Sequence, residues 1–551
     1  MKKRLLLVVA LFLAAALLSG CALIPIMDTF LASRETKGLP TPTVLPSSTA
    51  LPMNADSDSS MAMETEEFMD ALDALPMPAF NTEEYAAVDE NGFRDVLTSP
   101  LSTFSADVDT ASYCNLRRML NDGWAPSQIP DGAVRVEEML NYFRYDYAAP
   151  ADGGRFAVTA QMAPCPWNGE NILLTLGVRA ADAPERADEG SNLVFLVDVS
   201  GSMNEDSKLG LVKRALTLLA EQLTEKDTVS IVTYSNGEEI VIDGANPATD
   251  LAKLIAAVES LEADGYTNGE RGLAQAYDVA QRHFRPHGNN RVILCSDGDL
   301  NVGITSESDL HDFVSEKRRT GVYLSVLGFG AGNYKDTKME TLADDGNGSY
   351  YYIDSILEAR KVLCEELTQT LYTVADDVKF QIEFNPAKVS AYRQIGYENR
   401  ALENADFTDD AKDAGEVGAG ASVTVLYELV PANGTAGDAG LKYQSPALTD
   451  AAAGDEWLTV SMRSKAPGAA ESALETAVIG EAELTDAPSG DFLFAAAVAE
   501  FGMILKDSAY RGDADYASVL ELLKQAPLSD DYREEFFALV KIAQRADQLA
   551  N

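Results

Sequence analysis

Short apolar runs alternate with amphipathic stretches through the middle of the chain, over residues 192–371. The apolar runs show no regular alternation of apolar and polar positions, which indicates strands covered on both faces, and the amphipathic stretches have the three- and four-residue spacing of helices. Such alternation is typical of an α/β domain with a mostly parallel sheet flanked by helices. The predicted strands are residues 193–197, 228–234, 291–295 and 323–329, and the predicted helices are residues 208–222, 250–261, 269–282 and 306–319.

The pattern on both sides of this α/β domain is that of antiparallel strands. Residues 155–178 alternate apolar and polar positions in two strands, and short strands return at 378–384 and 422–429, separated by turns rich in Gly and Asp. We expect these flanking strands to join in one β-rich unit. The α/β domain is then an insertion in that unit.

Helical spacing marks both ends of the predicted folded region. It is found at residues 111–120 and 134–143, and again after Asp491, with Asp491 and Ser529 as the expected N-caps. The chain therefore divides into segments of different character. They are a signal peptide at 1–20, a tether at 21–85, an N-terminal helical unit at 86–150, flanking β strands at 151–190, the α/β domain at 191–372, a β-rich C-terminal domain at 373–485 and C-terminal helices at 486–551.

The first residues predict export and a lipid anchor. Lys2, Lys3 and Arg4 precede an apolar run at 5–18, which is too short for a comfortable membrane span and suits a signal peptide. The run ends in Leu-Ser-Gly-Cys, which resembles the lipobox of bacterial lipoproteins. That resemblance implies cleavage before Cys21 and diacylglycerol on its thiol. We expect a protein anchored by lipid to the cell membrane and facing outside the cytoplasm. If the host has two membranes, the inner and the outer membrane are both open as its location.

The segment after the predicted anchor has the composition of a tether, and the overall charge of the chain argues against one class of partner. Residues 22–81 are rich in Pro, Ser, Thr, Ala and Met, with little hydrophobic periodicity, which is typical of a tether. The chain has 43 Lys plus Arg against 87 Asp plus Glu, a formal net charge of −44. Because this field repels phosphate backbones, nucleic acid is not expected as a partner.

The remaining cysteines show no spacing typical of a metal site or of a disulfide framework. They are Cys114, Cys165, Cys295 and Cys364. Four scattered thiols in so long a chain are better explained as small buried apolar residues, so no essential disulfide is predicted.

Oxygen-bearing side chains lie at the ends of three predicted elements of the α/β domain. An Asp-x-Ser-x-Ser pattern, with Asp198, Ser200 and Ser202, comes directly after the first strand, at the edge where open α/β sheets bind ligands. Thr267 opens a helix about seventy residues later, and Asp297 follows the third strand. Carboxylate and hydroxyl oxygens suit magnesium, which needs six of them, so one loop alone cannot complete the shell.

This set of residues resembles the metal-ion-dependent adhesion site of von Willebrand factor type A (VWA) domains, whose fold is Rossmann-like. The resemblance implies that Ser200, Ser202 and Thr267 offer hydroxyls to the cation, while Asp198 and Asp297 act mainly through water. It also implies a bound Mg²⁺, with Mn²⁺ or Ca²⁺ as alternatives. An acidic side chain of a protein partner would complete the coordination shell.

Three further segments extend the resemblance to roughly residues 95–548. Residues 103–110, 384–386 and 396–400 are similar to those of a bacterial family of VWA lipoproteins with a short N-terminal unit and a C-terminal domain of unknown function. The expected function is therefore a cell-surface module that binds a protein partner through a cation.

Two other functions use the same domain. A metal-dependent hydrolase needs a general base, and no candidate adjoins Asp198 in the sequence, so an enzyme is not expected. An assembly or chaperone factor of the cell envelope is the other alternative, but export separates the chain from ATP-driven machines.

Arg511-Gly512-Asp513 is the tripeptide that integrins bind, yet three residues recur by chance, and we interpret it as a turn between helices.

Overall fold

The computed structural model describes residue 85 and residues 89–106, 109–151, 153–182, 190–265, 269–298, 307–330, 336–366, 372–412, 414–432 and 448–550. All of these lie in the compact unit Ala79–Asn551. The predicted signal peptide, Cys21 and almost all of the tether lie outside the described residues, and so does Thr267. No helix within these described ranges is long and apolar enough to cross a membrane.

The described residues form strands and helices that alternate most regularly in the middle of the chain. The strands are β1 (Arg94–Asp95), β2 (Leu101–Ser105), β3 (Phe156–Cys165), β4 (Asn168–Ala180), β5 (Ser191–Asp198), β6 (Thr228–Tyr234), β7 (Glu238–Ala245), β8 (Asn289–Ser296), β9 (Tyr323–Phe329), β10 (Tyr350–Ile353), β11 (Thr373–Phe384), β12 (Val389–Ile395), β13 (Val417–Gly418), β14 (Ser422–Pro431), β15 (Glu456–Lys465) and β16 (Ser472–Gly480). The α-helices are α1 (Ala111–Asn121), α2 (Val136–Asn141), α3 (Leu209–Gln222), α4 (Pro247–Glu259), α5 (Gly269–Arg282), α6 (Glu307–Arg318), α7 (Asp336–Asp345), α8 (Ile356–Arg360), α9 (Gly490–Leu505), α10 (Tyr516–Gln525) and α11 (Asp531–Ala550).

The α/β domain is built on one sheet with the strand order β10-β9-β8-β5-β6-β7. Each neighbouring pair is parallel except β6 and β7. Strand β5 is buried along its whole length. Leu193, Phe195 and Val197 belong to the core shared with α3 and α4, whereas Val194 and Leu196 belong to the core shared with α5 and α6. The predicted α/β fold, with a mostly parallel sheet covered on both faces, is confirmed.

Two antiparallel sheets form a sandwich beside the α/β domain. One has the order β1-β12-β14-β4-β3, and the other has the order β13-β11-β15-β16, with β2 also paired to β11. Apolar residues of both sheets form one core. Strand β4 precedes the α/β domain and pairs with β14, which follows it, over Ser422–Leu429. The α/β domain is thus inserted in a β-rich unit, as the sequence predicted.

The helices at the two ends of the compact unit pack together in a single core. Helix α9 is buried on almost every side, which explains its nearly uninterrupted apolar sequence. Its N-cap is Ser489, whose hydroxyl accepts from the amide of Phe492 at 3.2 Å, so the prediction of Asp491 was wrong by two residues. At the start of α11, the Asp530 carboxylate accepts from the amide of Arg533 at 2.9 Å, in place of the predicted Ser529. Both corrections fall within a single helical turn, where several polar residues compete for the same amides.

Candidate metal site

Asp198 lies at the centre of the carboxyl edge of the α/β sheet. Its strand, β5, is flanked by β6 and β8, and its side chain is fully buried. One carboxylate oxygen, Oδ1, accepts from the amide of Ser200 at 2.9 Å, and the other, Oδ2, accepts from the hydroxyl of Ser296 at 3.4 Å. These bonds fix the carboxylate at the point where the chain leaves the sheet. Ser296 was not predicted as a site residue, although it directly precedes Asp297 at the end of β8.

The two serines of the same loop place their hydroxyls side by side. Ser200 is buried and Ser202 is half-buried, and their Oγ atoms are 3.0 Å apart. In an octahedral magnesium shell with bonds of about 2.1 Å, adjacent oxygens are separated by about 3.0 Å. The two hydroxyls therefore have the spacing of neighbouring ligands, so this donor set fits a magnesium ion.

Asp297 is buried and pairs with Lys208, a residue that was not predicted to belong to the site. Lys208 Nζ donates to Asp297 Oδ2 at 3.0 Å and to the backbone oxygen of Ser202 at 2.9 Å. The sequence predicted a helix from Lys208, but α3 begins at Leu209. A positive charge just before a helix is unfavourable because of the helix dipole. The place of Lys208 directly before the predicted helix is therefore the sequence feature that could have indicated a carboxylate partner.

A second loop supports the Asp-x-Ser-x-Ser loop through backbone bonds. The amide of Gly201 donates to the oxygen of Gly265 at 3.0 Å, and the amide of Asp264 donates to the oxygen of Val199 at 2.8 Å. Thr267, which follows two residues after Gly265, is outside the described residues. The structure brings together Asp198, Ser200, Ser202 and Asp297, and it places the chain that leads to Thr267 against them.

Burial controls the electrostatics of Asp198. Loss of solvent raises the pKa of its carboxyl to about 6, although the amide and hydroxyl of Ser200 oppose this, and the Asp297 carboxylate raises it further. A positive charge close to two buried carboxylates offsets their mutual repulsion. Lys208 supplies one such charge.

A second group of possible metal ligands lies elsewhere and already holds a cationic side chain. Cys114, Asp354 and Glu358 have ligand atoms within 4.8 Å of one another. The guanidinium of Arg117 lies among them, with Nη2 at 2.9 Å from Glu358 and Nε at 2.8 Å from Asp354. This group is an ion-pair network and not a second metal site.

The Arg-Gly-Asp tripeptide forms the turn between α9 and α10. The amide of Asp513 donates to the backbone oxygen of Trp167 at 3.1 Å, and Arg511 pairs with Asp507 at 3.0 Å. These contacts agree with the interpretation of the tripeptide as a turn between helices.

Comparison with known protein families gives the class of the molecule. The family model of von Willebrand factor matches residues 79–175, and that of the von Willebrand factor type A domain matches residues 192–364. The second match spans the sheet, helices and loops described above. The chain is a VWA-domain protein, and VWA domains often bind a metal ion at the adhesion site.

The rest of the chain identifies the family. The C-terminal domain of the uncharacterized protein YfbK matches residues 369–546. Uncharacterized protein YfbK of Escherichia coli K12 is 42% identical over 474 residues, which cover 84% of this chain and 81% of that protein. The chain belongs to the YfbK family of VWA proteins.

Other similar proteins match this chain at lower identity. Mouse inter-alpha-trypsin inhibitor heavy chain H3 is 26% identical over 164 residues, which cover 28% of this chain and 18% of that protein. A solved structure of a von Willebrand factor type A protein from Catenulispora acidiphila is 17% identical, with a TM-score of 0.37, and the match covers 72% of this chain and 91% of that one.

Proposed function

We propose that this protein is a cell-surface lipoprotein whose VWA domain binds protein partners through a divalent cation. Asp198, Ser200, Ser202 and Asp297 would hold the ion together with Thr267. The cation, Mg²⁺ or in its place Mn²⁺ or Ca²⁺, would supply an open coordination position for a carboxylate of the partner. The observation that carries the proposal is the 3.0 Å separation of the Ser200 and Ser202 hydroxyls beside the buried Asp198.

Binding is a better explanation of this site than hydrolysis. A metal-dependent hydrolase needs a side chain that takes a proton from water. Among the described residues, the groups that contact the two carboxylates include three hydrogen-bond donors: the Ser200 amide, the Ser296 hydroxyl and the Lys208 ammonium. These donors orient the carboxylates and are poorly suited to act as a base. We therefore propose a binding module and not an enzyme.

The proposed location rests on the N-terminal sequence, in which an apolar run ends at Cys21. A lipid on that thiol would hold the protein at the membrane, with the tether separating the VWA domain from the surface. The test is metabolic labelling with a radioactive fatty acid. Wild-type protein should incorporate the label and fractionate with membranes, whereas Cys21→Ser should lose the label. A labelled Cys21→Ser variant would contradict the proposed anchor.

The proposed partner binding is tested by capture from an extract of the host envelope on the immobilised full chain. We expect proteins that bind in Mg²⁺ to be released by a chelator and to be absent with Ser200→Ala. Val199→Ala is the matched control in the same loop, because its side chain offers the cation no ligand. Capture that is unchanged by the chelator and by Ser200→Ala would contradict a role of the metal in binding.

A further inference from the structure

Lys208 is held in a fixed position at the candidate metal site. Its side chain is only 6% exposed, and its ammonium donates to Asp297 at 3.0 Å and to the Ser202 backbone at 2.9 Å. The stem of the side chain lies against Gly330, at the end of β9, where an added Cβ would come within 2.6 Å of the Lys208 Cε. Tyr352 donates to the oxygen of that glycine at 2.6 Å. The α/β domain thus provides a narrow slot for this one lysine.

This position gives Lys208 an electrostatic effect on any cation at the site. Its charge already compensates the buried carboxylate of Asp297, which reduces the negative potential available to an incoming ion. The two positive charges would also repel each other at short range in a medium of low dielectric constant. With a divalent cation bound, the net charge of the cation, the two carboxylates of Asp198 and Asp297, and the Lys208 ammonium is about +1. Without the lysine charge, the same site would have a net charge of about zero.

We propose that Lys208 is a positioning residue that sets the affinity of the site for its cation. It orients Asp297, weakens metal binding by charge repulsion, and keeps the metal-bound site positive toward an acidic partner. This inference rests on the proposed metal-dependent function. It goes beyond that function by assigning a role to a residue outside the set of metal ligands.

The test is calorimetric titration of the metal-free full chain with Mn²⁺, for wild type and Lys208→Met. The variant should bind Mn²⁺ about tenfold more tightly, because the repelling charge is removed while the methionine still fills much of the slot. Lys213→Met is the matched control. Lys213 lies on α3 and donates to the exposed backbone oxygen of Glu259, so its loss should change Mn²⁺ affinity by less than about twofold.

A second measurement separates this role from a general effect on folding. In a chelator, Lys208→Met should unfold at a lower temperature than wild type, because it leaves the buried Asp297 without its ammonium partner. Lower metal-free stability combined with higher Mn²⁺ affinity is a pair of opposite effects. A purely structural lysine would lower both.

The outcomes distinguish this inference from the proposed function. If wild type binds Mn²⁺ and Lys208→Met binds it equally or more weakly, the inference is overturned while the metal site stands. If neither wild type nor any variant binds Mn²⁺, the proposed function fails and the inference fails with it.

Discussion

At the scale of single residues, Glu500 shows how burial in this molecule changes the chemistry of a side chain. It lies in α9 without exposure to solvent, and one carboxyl oxygen accepts from the Ser518 hydroxyl at 2.8 Å. Burial raises the pKa of Glu500 from 4.5 to about 7, although the Ser518 bond opposes this. The folded protein therefore binds this proton more tightly than the unfolded chain does.

Glu500→Gln should stabilise the protein at alkaline pH. Because the folded pKa is raised, ionisation of Glu500 destabilises the fold fully above pH 7, and this penalty disappears as the pH falls toward 4.5. We expect the free energy of unfolding to increase by about 2–3 kcal/mol at pH 8 and by less than about 1 kcal/mol at pH 5, measured by urea denaturation. Glu521→Gln, on the exposed side of α10, is the control and should show no such difference. Equal effects of Glu500→Gln at the two pH values would show that the carboxyl ionises normally.

At the scale of helices and strands, the sequence predicted the central strands of the α/β sheet better than its edge strands. Strands β5, β6, β8 and β9 were found because each contains a mostly apolar run. Strand β7 was missed because it is a half-exposed edge strand, and β10 because it has only four residues. Strand β2 was also missed, in a region where only helices were predicted. Its short, hydroxyl-rich sequence becomes a strand by pairing with β11, which lies almost 280 residues later.

The turn between α9 and α10 gives a prediction at this scale. Gly512 has a φ of +53°, and an added Cβ would lie 2.1 Å from the backbone oxygen of Trp167. Gly512→Ala should lower the free energy of unfolding by about 3 kcal/mol, from backbone strain and from the collision. Gly468→Ala is the matched control, because Gly468 has a φ of +75° but open space around it, and only about 1 kcal/mol is expected. Urea denaturation compares the two, and equal losses would show that contact with Trp167 does not require the glycine.

At the scale of the whole molecule, Arg117 joins three parts of the chain. It extends from α1 and is only 2% exposed. It pairs with Glu358 of α8 at 2.9 Å, with Asp354 after β10, and with Glu535 of α11 at 2.8 Å. The sequence distances, up to 418 residues, explain why no local pattern predicted this network. The insertion of the α/β domain was predictable, because strands with the same alternating pattern flank it on both sides.

Arg117→Met should destabilise the whole compact unit. The change leaves the carboxylates of Asp354 and Glu358 buried without their cation, which costs about 3–5 kcal/mol. Arg282→Met is the control, since its ion pair with Asp243 is exposed and contributes less than about 1 kcal/mol. Scanning calorimetry of the two variants measures the difference. If both melt at the same temperature, the Arg117 network does not hold the parts together.

The most direct test of the metal-dependent site is calorimetric titration of the metal-free full chain with Mg²⁺ and Mn²⁺, comparing wild type with Asp198→Ala and Ser200→Ala. Circular dichroism establishes first that the variants are folded. We expect one cation to bind to wild type and none to bind to either variant, because each substitution removes an oxygen from the centre of the site. Absence of binding to wild type, or equal binding to all three proteins, would contradict the proposed metal site at Asp198 and Ser200.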